Sequence, residues 1–466
     1  MRKSKSSRFK GNIVTQLRIL TSGILLGYLG MVTSASAENL LELYQLAEQQ
    51  DPQLKIAEAQ RLTILEKEPQ LRAVLLPQIA IGAEVTEALR VRNWLFGEEI
   101  ENTSLGYEVS LSYALYRRDR QLALSQIGDV VKEVEAQYEG ARQALIERVV
   151  TRYFAVLSSY DNLKLAKGAQ KAFHRQLEQA QQRFEVGLIA ITDVQEAQAG
   201  FDLAVAEEIS AKNALDNAYE ALREVTGQEH TTLATLAEDA PLPKPDPPNV
   251  TTWIQLALEQ NPQLLATQHS VDSTQQEINI QQAAQLPTVN LVGRHGYTNV
   301  IRGDEPMGSY KTTNSIGVQL SYFLYEGGGI RSRVREAQQQ YQRVLAELES
   351  QKRGVYRQTQ QAFLNLQSSF SSAQALQQAV LSNKVALEAV KAGFEVGTRT
   401  SVDVLNAQRD LLRAQRDHLN ARYNAILASV HLKQAAGALN TEDVANLNKW
   451  LTLHTIQLNN LPEEFE

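Results

Sequence analysis

The chain is one unit written twice, and this repeat limits its possible folds more than any other feature. Leu46-Ala-Glu-Gln-Gln-Asp-Pro-Gln-Leu54 returns as Leu256-Ala-Leu-Glu-Gln-Asn-Pro-Gln-Leu264, 210 residues later. Leu76-Pro77, Phe184-Glu-Val-Gly187 and Asp193-Val194 return at the same offset, as Leu286-Pro287, Phe394-Glu-Val-Gly397 and Asp403-Val404. Several separated matches at one spacing mark a duplicated structural unit. The pattern predicts two homologous halves, residues 38–240 and 250–466, joined by a linker over 241–249. Pro241, Pro243, Pro245, Pro247 and Pro248 keep that linker out of any helix.

Each half reads as a helix, a strand pair and two long helices. Ile127, Val131, Val134, Tyr138, Ala141, Leu145, Val149, Tyr153, Val156, Tyr160 and Leu163 follow one another in ten steps over 36 residues, a mean of 3.6. That is the period of an amphipathic helix. No proline falls between Gln78 and Ala240. A helix from about Arg117 to Phe184 would be roughly 100 Å long at ~1.5 Å per residue. Such a rod belongs in a coiled coil or a helical tube, not in a small globule.

Between the helices the period falls to two. Ile79, Ile81, Ala83 and Val85 alternate with Ala80, Gly82, Glu84 and Thr86. Val109, Leu111 and Tyr113 alternate with Ser110, Ser112 and Ala114, and Ile316, Val318, Leu320 and Tyr322 with Gly317, Gln319 and Ser321. Such strands fit a sheet with lipid on one side and water on the other, or a soluble sheet packed on a core. Hairpin tips are expected at about 88–104 and 294–313. Tyr107, Tyr113, Tyr116, Tyr310, Tyr322 and Tyr325 are expected near strand ends, where membrane barrels carry aromatic girdles. Four strands cannot close a barrel, and lipid tolerates no open edge. In a membrane, several chains must share one barrel.

Residues 1–37 predict a secretory signal peptide. Six Lys or Arg up to Arg18 precede an apolar run, Ile19 to Val32, and then Ala35-Ser36-Ala37. The mature chain would begin near Glu38. Net charge is −7 overall and −13 without residues 1–37. An acidic body argues against nucleic-acid binding, which needs clustered Lys and Arg. The chain has no cysteine, which removes disulfides, Cys-ligated zinc, a thiol nucleophile and a lipid-bearing N-terminal Cys.

The chain resembles the TolC family of outer-membrane efflux channels over nearly all of its mature length. The resemblance is carried by Phe184-Glu-Val-Gly-Leu-Ile-Ala-Ile-Thr-Asp-Val194, Val396-Gly-Thr-Arg-Thr-Ser-Val-Asp-Val404 and Tyr325-Glu-Gly-Gly328. It implies a mainly α protein with a membrane β-region. Three identical chains would form a 12-stranded β-barrel continuous with a 12-helix periplasmic α-barrel. The Pro-rich linker and the C-terminal segment would form a belt around the tube. It also implies the function: the exit duct of tripartite drug efflux pumps or type I protein secretion. The partners would be a periplasmic adaptor protein, an inner-membrane transporter and outer-membrane lipid.

The chemistry sits at two helical turns. Gly187 and Gly397 break their helices, and new helices are expected near Thr192 and Thr400. Thr192-x-x-Gln195 and Thr400-x-x-Asp403 have capping-box spacing. Asp193 and Asp403 can therefore serve helix starts. The resemblance adds that Asp403 lines the periplasmic aperture, where three copies would bind cations. The family's usual second Asp is Asn406 here, which implies a ring of three charges instead of six. Arg399 is either a solvated side chain or, by resemblance, a latch to a neighbouring turn at Thr192 and Asp193. Phe394 stands where the family has a latch Tyr, so one hydrogen bond is lost. Val186, Gly187, Leu188, Val396, Gly397 and Thr398 form tight turns and, by resemblance, an adaptor-docking groove.

An enzyme is the contrasting class. The seven His show no His-x-x-x-His spacing, and no phosphate loop, GxSxG elbow or GxGxxG fingerprint is present. No cofactor or metal is expected. A periplasmic coiled-coil adaptor or structural envelope protein is the other reading. It shares the long helices but has no need of the strand pairs or the repeat.

Overall fold

Asp51-Pro52 and Asn261-Pro262 act alike in the two copies of the repeat. Each polar side chain caps a helix that opens with proline. Asp51 Oδ1 accepts from Leu54 N at 2.7 Å, and Asn261 Oδ1 from Leu264 N at 3.1 Å. Pro at the first helical position has no N–H to leave unpaired. A computed structural model describes residues 38–92, 99–230, 232–303, 306 and 308–457. The first copy runs α1 (Leu40–Gln50), α2 (Pro52–Leu65), α3 (Lys67–Ala73), β1 (Gln78–Arg92), β2 (Glu99–Tyr116), α4 (Arg118–Glu185), α5 (Ile191–Thr226) and β3 (Thr232–Leu236). The second runs α6 (Val250–Gln260), α7 (Pro262–Ala283), β4 (Thr288–Gly303), β5 (Tyr310–Ser321), α8 (Gly329–Glu395), α9 (Ser401–Ala435), α10 (Thr441–Asn448) and β6 (Leu451–Gln457). The expected leader, residues 1–37, lies outside the described residues. The single helix expected at the start of each half is broken instead, into three pieces in the first copy and two in the second.

Helices α4 and α8 have 68 and 67 residues, so each runs about 100 Å at ~1.5 Å per residue. α4 pairs with α2 and α7 towards the sheet and with α5 further away, and α8 pairs likewise with α7 and α9. The apolar stripe of α4 is buried where the period of 3.6 placed it. Leu145, Val149, Tyr153 and Val156 pack with Leu40, Leu43 and Tyr44 of α1 and with Val444 of α10. Beside this core β3 and β6 pair antiparallel, and Glu38 bridges to Leu233 in parallel.

The four long strands form one antiparallel sheet in the order β1-β2-β4-β5. The two copies therefore meet along β2 and β4, and β1 and β5 are left as edges. The strands run further than the sequence suggests. β1 continues to Arg92 and β4 to Gly303, while β2 begins at Glu99 and β5 at Tyr310. The tips expected at 88–104 and 294–313 are thus mostly strand. Ladder hydrogen bonds use backbone groups, so polar side chains do not end them. Tyr107 also lies in mid-strand, not near an end. Its ring stacks on Tyr297 at 5.7 Å, and Tyr297 on Tyr310 at 5.9 Å.

One face of this sheet is apolar and uncovered. Ile81 is 76% exposed and Ile316 77%. In register with them lie Val109, Leu111, Leu291 and Val318. The opposite face carries Ser110, Ser112, Gln319 and a Glu108–Arg294 ion pair at 3.2 Å. Among the described residues no helix is long and apolar enough to cross a membrane.

Candidate functional site

At the end remote from the sheet, α4 and α8 stop at the same motif. Gly187 has φ +73° and Gly397 φ +80°, a left-handed conformation that costs an L side chain energy but not glycine. Leu188 N donates to Arg183 O at 2.9 Å and Thr398 N to Gly393 O at 2.8 Å. These six-to-one bonds satisfy the last carbonyls of each helix. The turns push apolar side chains outward: Val186, Leu188 and Val396 are 69%, 73% and 75% exposed. The six residues expected to dock a partner therefore sit on two adjacent tips.

The next helices begin differently. Thr400 caps α9: Asp403 N donates to Thr400 Oγ1 at 3.2 Å, and Thr400 N donates to Asp403 Oδ2 at 2.9 Å. This is the capping box that the sequence predicted. The box at Thr192 does not form. α5 starts two residues earlier than a Thr192 cap would give, at Ile191, with Ala190 as its cap. Asp193 takes the third position, and its Oδ2 accepts from Ala190 N at 3.2 Å. Thr192 is exposed instead. A carboxylate three residues in can hold the cap N–H even where the cap residue has no side-chain acceptor.

The Thr400 N–H and hydroxyl hold the Asp403 carboxyl below the usual carboxylate range. Asn406 lies three residues on, on the same face of α9, and is exposed. Arg399 is exposed; its backbone N–H donates to Gly393 O at 3.2 Å, and among the described residues its guanidinium forms no hydrogen bond or ion pair within its own chain. Phe394 is half-buried, with the Arg183 guanidinium 5.0 Å from its ring centroid. Asp193 Oδ1 accepts from Ser401 Oγ at 3.0 Å, which links α5 to α9 across 208 residues. Arg183 and Ser401 went unnoticed in the sequence. Among the described residues there is no group of three or more His, Asp or Glu placed to hold a metal.

An uncovered apolar sheet face, helices about 100 Å long and paired glycine turns define a class: channel subunits of the outer membrane, strand at one end and helix at the other. The family described as "Outer membrane efflux protein" matches residues 43–228 and again 253–438, and the chain belongs to this family. It is 39% identical over 428 residues to Outer membrane protein TolC of Vibrio cholerae serotype O1, covering 91% of this chain and 96% of that one. To Outer membrane protein TolC of Escherichia coli K12 it is 34% identical over 433 residues, covering 91% and 87%. The CmeC outer membrane channel of Campylobacter jejuni shares the fold, with a TM-score of 0.73 at 18% identity over 90% of this chain and 91% of that one. The chain is an outer-membrane protein and serves as an exit duct for efflux and type I secretion.

Proposed function

We propose that three copies close the sheet into a 12-stranded barrel, that their helices form one periplasmic tube, and that the glycine turns are its gated entrance. The observation that carries this reading is the open sheet. A four-stranded sheet with two free edges and a bare apolar face is stable in neither water nor lipid. Joining β5 of one copy to β1 of the next satisfies the edges, and lipid covers the face. The polar face, with Glu108 and Arg294, then lines the channel.

At the entrance, Asp403 from three copies forms an anionic ring that favours cations. Asn406 leaves that ring at three charges. Arg399, unpaired within its own chain, is free to reach Thr192 and Asp193 of a neighbouring copy and hold the entrance shut. Opening then requires a partner that binds the open state more tightly than the closed one. The exposed Val186, Leu188 and Val396, with Gly187, Gly397 and Thr398, provide a docking groove for a periplasmic adaptor, which in turn joins an inner-membrane transporter.

Planar-bilayer recording tests the reading. Detergent-solubilised protein should run as a trimer and insert as a low-conductance, cation-selective channel, and Arg399→Ala should raise its conductance. Monomeric, electrically silent protein would end the proposal.

A further inference from the structure

The apolar face of the four-stranded sheet carries one polar cluster. His295 of β4 lies opposite Val109 of β2 and Asn314 of β5, on the same face as Ile81 and Ile316. Its Nδ1 is 2.6 Å from Asn314 Oδ1, and its Nε2 is 3.3 Å from Tyr107 Oη. The amide oxygen can only accept, so Nδ1 donates to it and Nε2 accepts from the tyrosine hydroxyl. Asn314 is exposed, and among the described residues nothing accepts from its Nδ2. On the helix side of this cluster the aliphatic face has a notch. Gly293 puts no side chain between Leu111 and Ile316, its partners in register. With Val109, His295 and Asn314 they line a cavity of about 430 Å³. On the tip side, the same face of β4 and β5 turns to Tyr297, Thr312, Asn299 and Tyr310.

We propose that this is a lipid-binding site: an acyl chain of lipopolysaccharide lies in the notch at Gly293, and the carbonyl of its acyl linkage accepts from Asn314 Nδ2. This rests on the reading of the sheet as a barrel wall and gives that wall a specific ligand. An unpaired amide donor facing hydrocarbon is costly, and hydrocarbon has no acceptor to offer it. Acyl-linkage carbonyls lie where hydrocarbon gives way to headgroups, the level at which membrane proteins carry tyrosine. The aliphatic band of β4 and β5 gives way to tyrosine at this cluster. The cluster is on the tip side of the band, away from the helices, so the chain belongs to the outer leaflet, whose lipid is lipopolysaccharide. The donor is preorganised. The bonds from Tyr107 through His295 to Asn314 tie β2, β4 and β5 together, and Tyr107 is itself stacked on Tyr297. No rearrangement of the sheet is needed to receive the chain.

The test is native mass spectrometry of the full-length protein, delipidated in detergent and titrated with lipid A or with dioleoyl phosphatidylethanolamine. The parent trimer should retain one lipid A per subunit and hold it more tightly than the phospholipid. Asn314→Leu removes the donor and should weaken lipid A binding about fivefold, the usual worth of one hydrogen bond. Gly293→Val fills the notch, with the new Cβ 3.4 Å from Leu111 Cβ, and should weaken it at least as much. If both variants, as intact trimers, bind lipid A as the parent does, the lipid is an unselective annulus and the site is wrong, while the barrel reading stands. Equal retention of the phospholipid by the parent would overturn the site as well. Monomeric protein that retains neither lipid would sink the barrel reading too.

Discussion

The hydroxyl of Tyr153, wholly buried in the middle of α4, donates to the carbonyl of Ala234 in β3 at 2.7 Å. One hydrogen bond thus ties the long helix α4 to the small β3–β6 sheet. Burial pushes the phenol well above its ordinary range, so it remains a donor at any pH the envelope meets. Tyr153→Phe keeps the packing and removes the donor. The expected loss is about 1–1.5 kcal/mol of stability with conductance unchanged. Thermal denaturation of the detergent-solubilised protein would read it, and an unshifted midpoint would mean that the Ala234 carbonyl is satisfied otherwise.

The turn at Gly397 should resist any side chain. An L residue in the left-handed region costs about 1–2 kcal/mol, so Gly397→Ala should lower the melting temperature. It should also weaken capture of an adaptor by crosslinkers placed at Thr398. Retained crosslinking in a destabilised variant would separate the structural role of the glycine from docking.

Asp403 gives a pH prediction with a definite sign. Its carboxyl is held low, so the charge it would bring to the proposed ring is present at neutral pH and is lost as pH falls through the depressed value. Thr400→Val removes the hydroxyl donor, so the charge should be lost at a higher pH than in the parent. Cation selectivity measured across a pH series would show the midpoint moving up. A midpoint that stays or moves down would contradict the role of Thr400.

Asn406→Asp should restore a second carboxylate one turn away and take the ring from three charges to six. Block by multivalent cations should strengthen by an order of magnitude or more. Equal block in both forms would place these residues away from the conduction path.

Phe394→Tyr keeps the ring under Arg183 and adds the hydroxyl that the family's latch Tyr carries. The gain of one hydrogen bond, typically ~1 kcal/mol net, should lower resting conductance. Equal or higher conductance would count against a latch role for position 394.

Much of this was legible in the residues. The 210-residue offset announced the duplicated element order, the stripe from Ile127 to Leu163 announced a long helix, and its expected span of about Arg117 to Phe184 meets α4 within a residue at either end. Alternation at Ile79–Val85 and Ile316–Leu320 announced both edge strands. Strand ends were less legible, because Arg92 and Gly303 remain in backbone ladders that side-chain polarity does not control. Capping was half legible. Thr400 caps its helix as its spacing suggested, whereas Thr192 yields to Ala190 because Asp193 serves the N–H from inside the helix.

The sequence alone determined the periods, the lengths of the long helices and the breaks at Gly187 and Gly397, because these follow from interactions among residues a few positions apart. Three and four steps make a helix, two make a strand, and Gly or Pro ends either. Only the tertiary structure decided that β2 lies against β4, that Ser401 and not Arg399 reaches Asp193 within one chain, and that Arg183 covers Phe394. Those partners are some 190 to 210 residues apart, and no local pattern encodes which hydroxyl or guanidinium a folded helix will carry to a given carboxylate or ring.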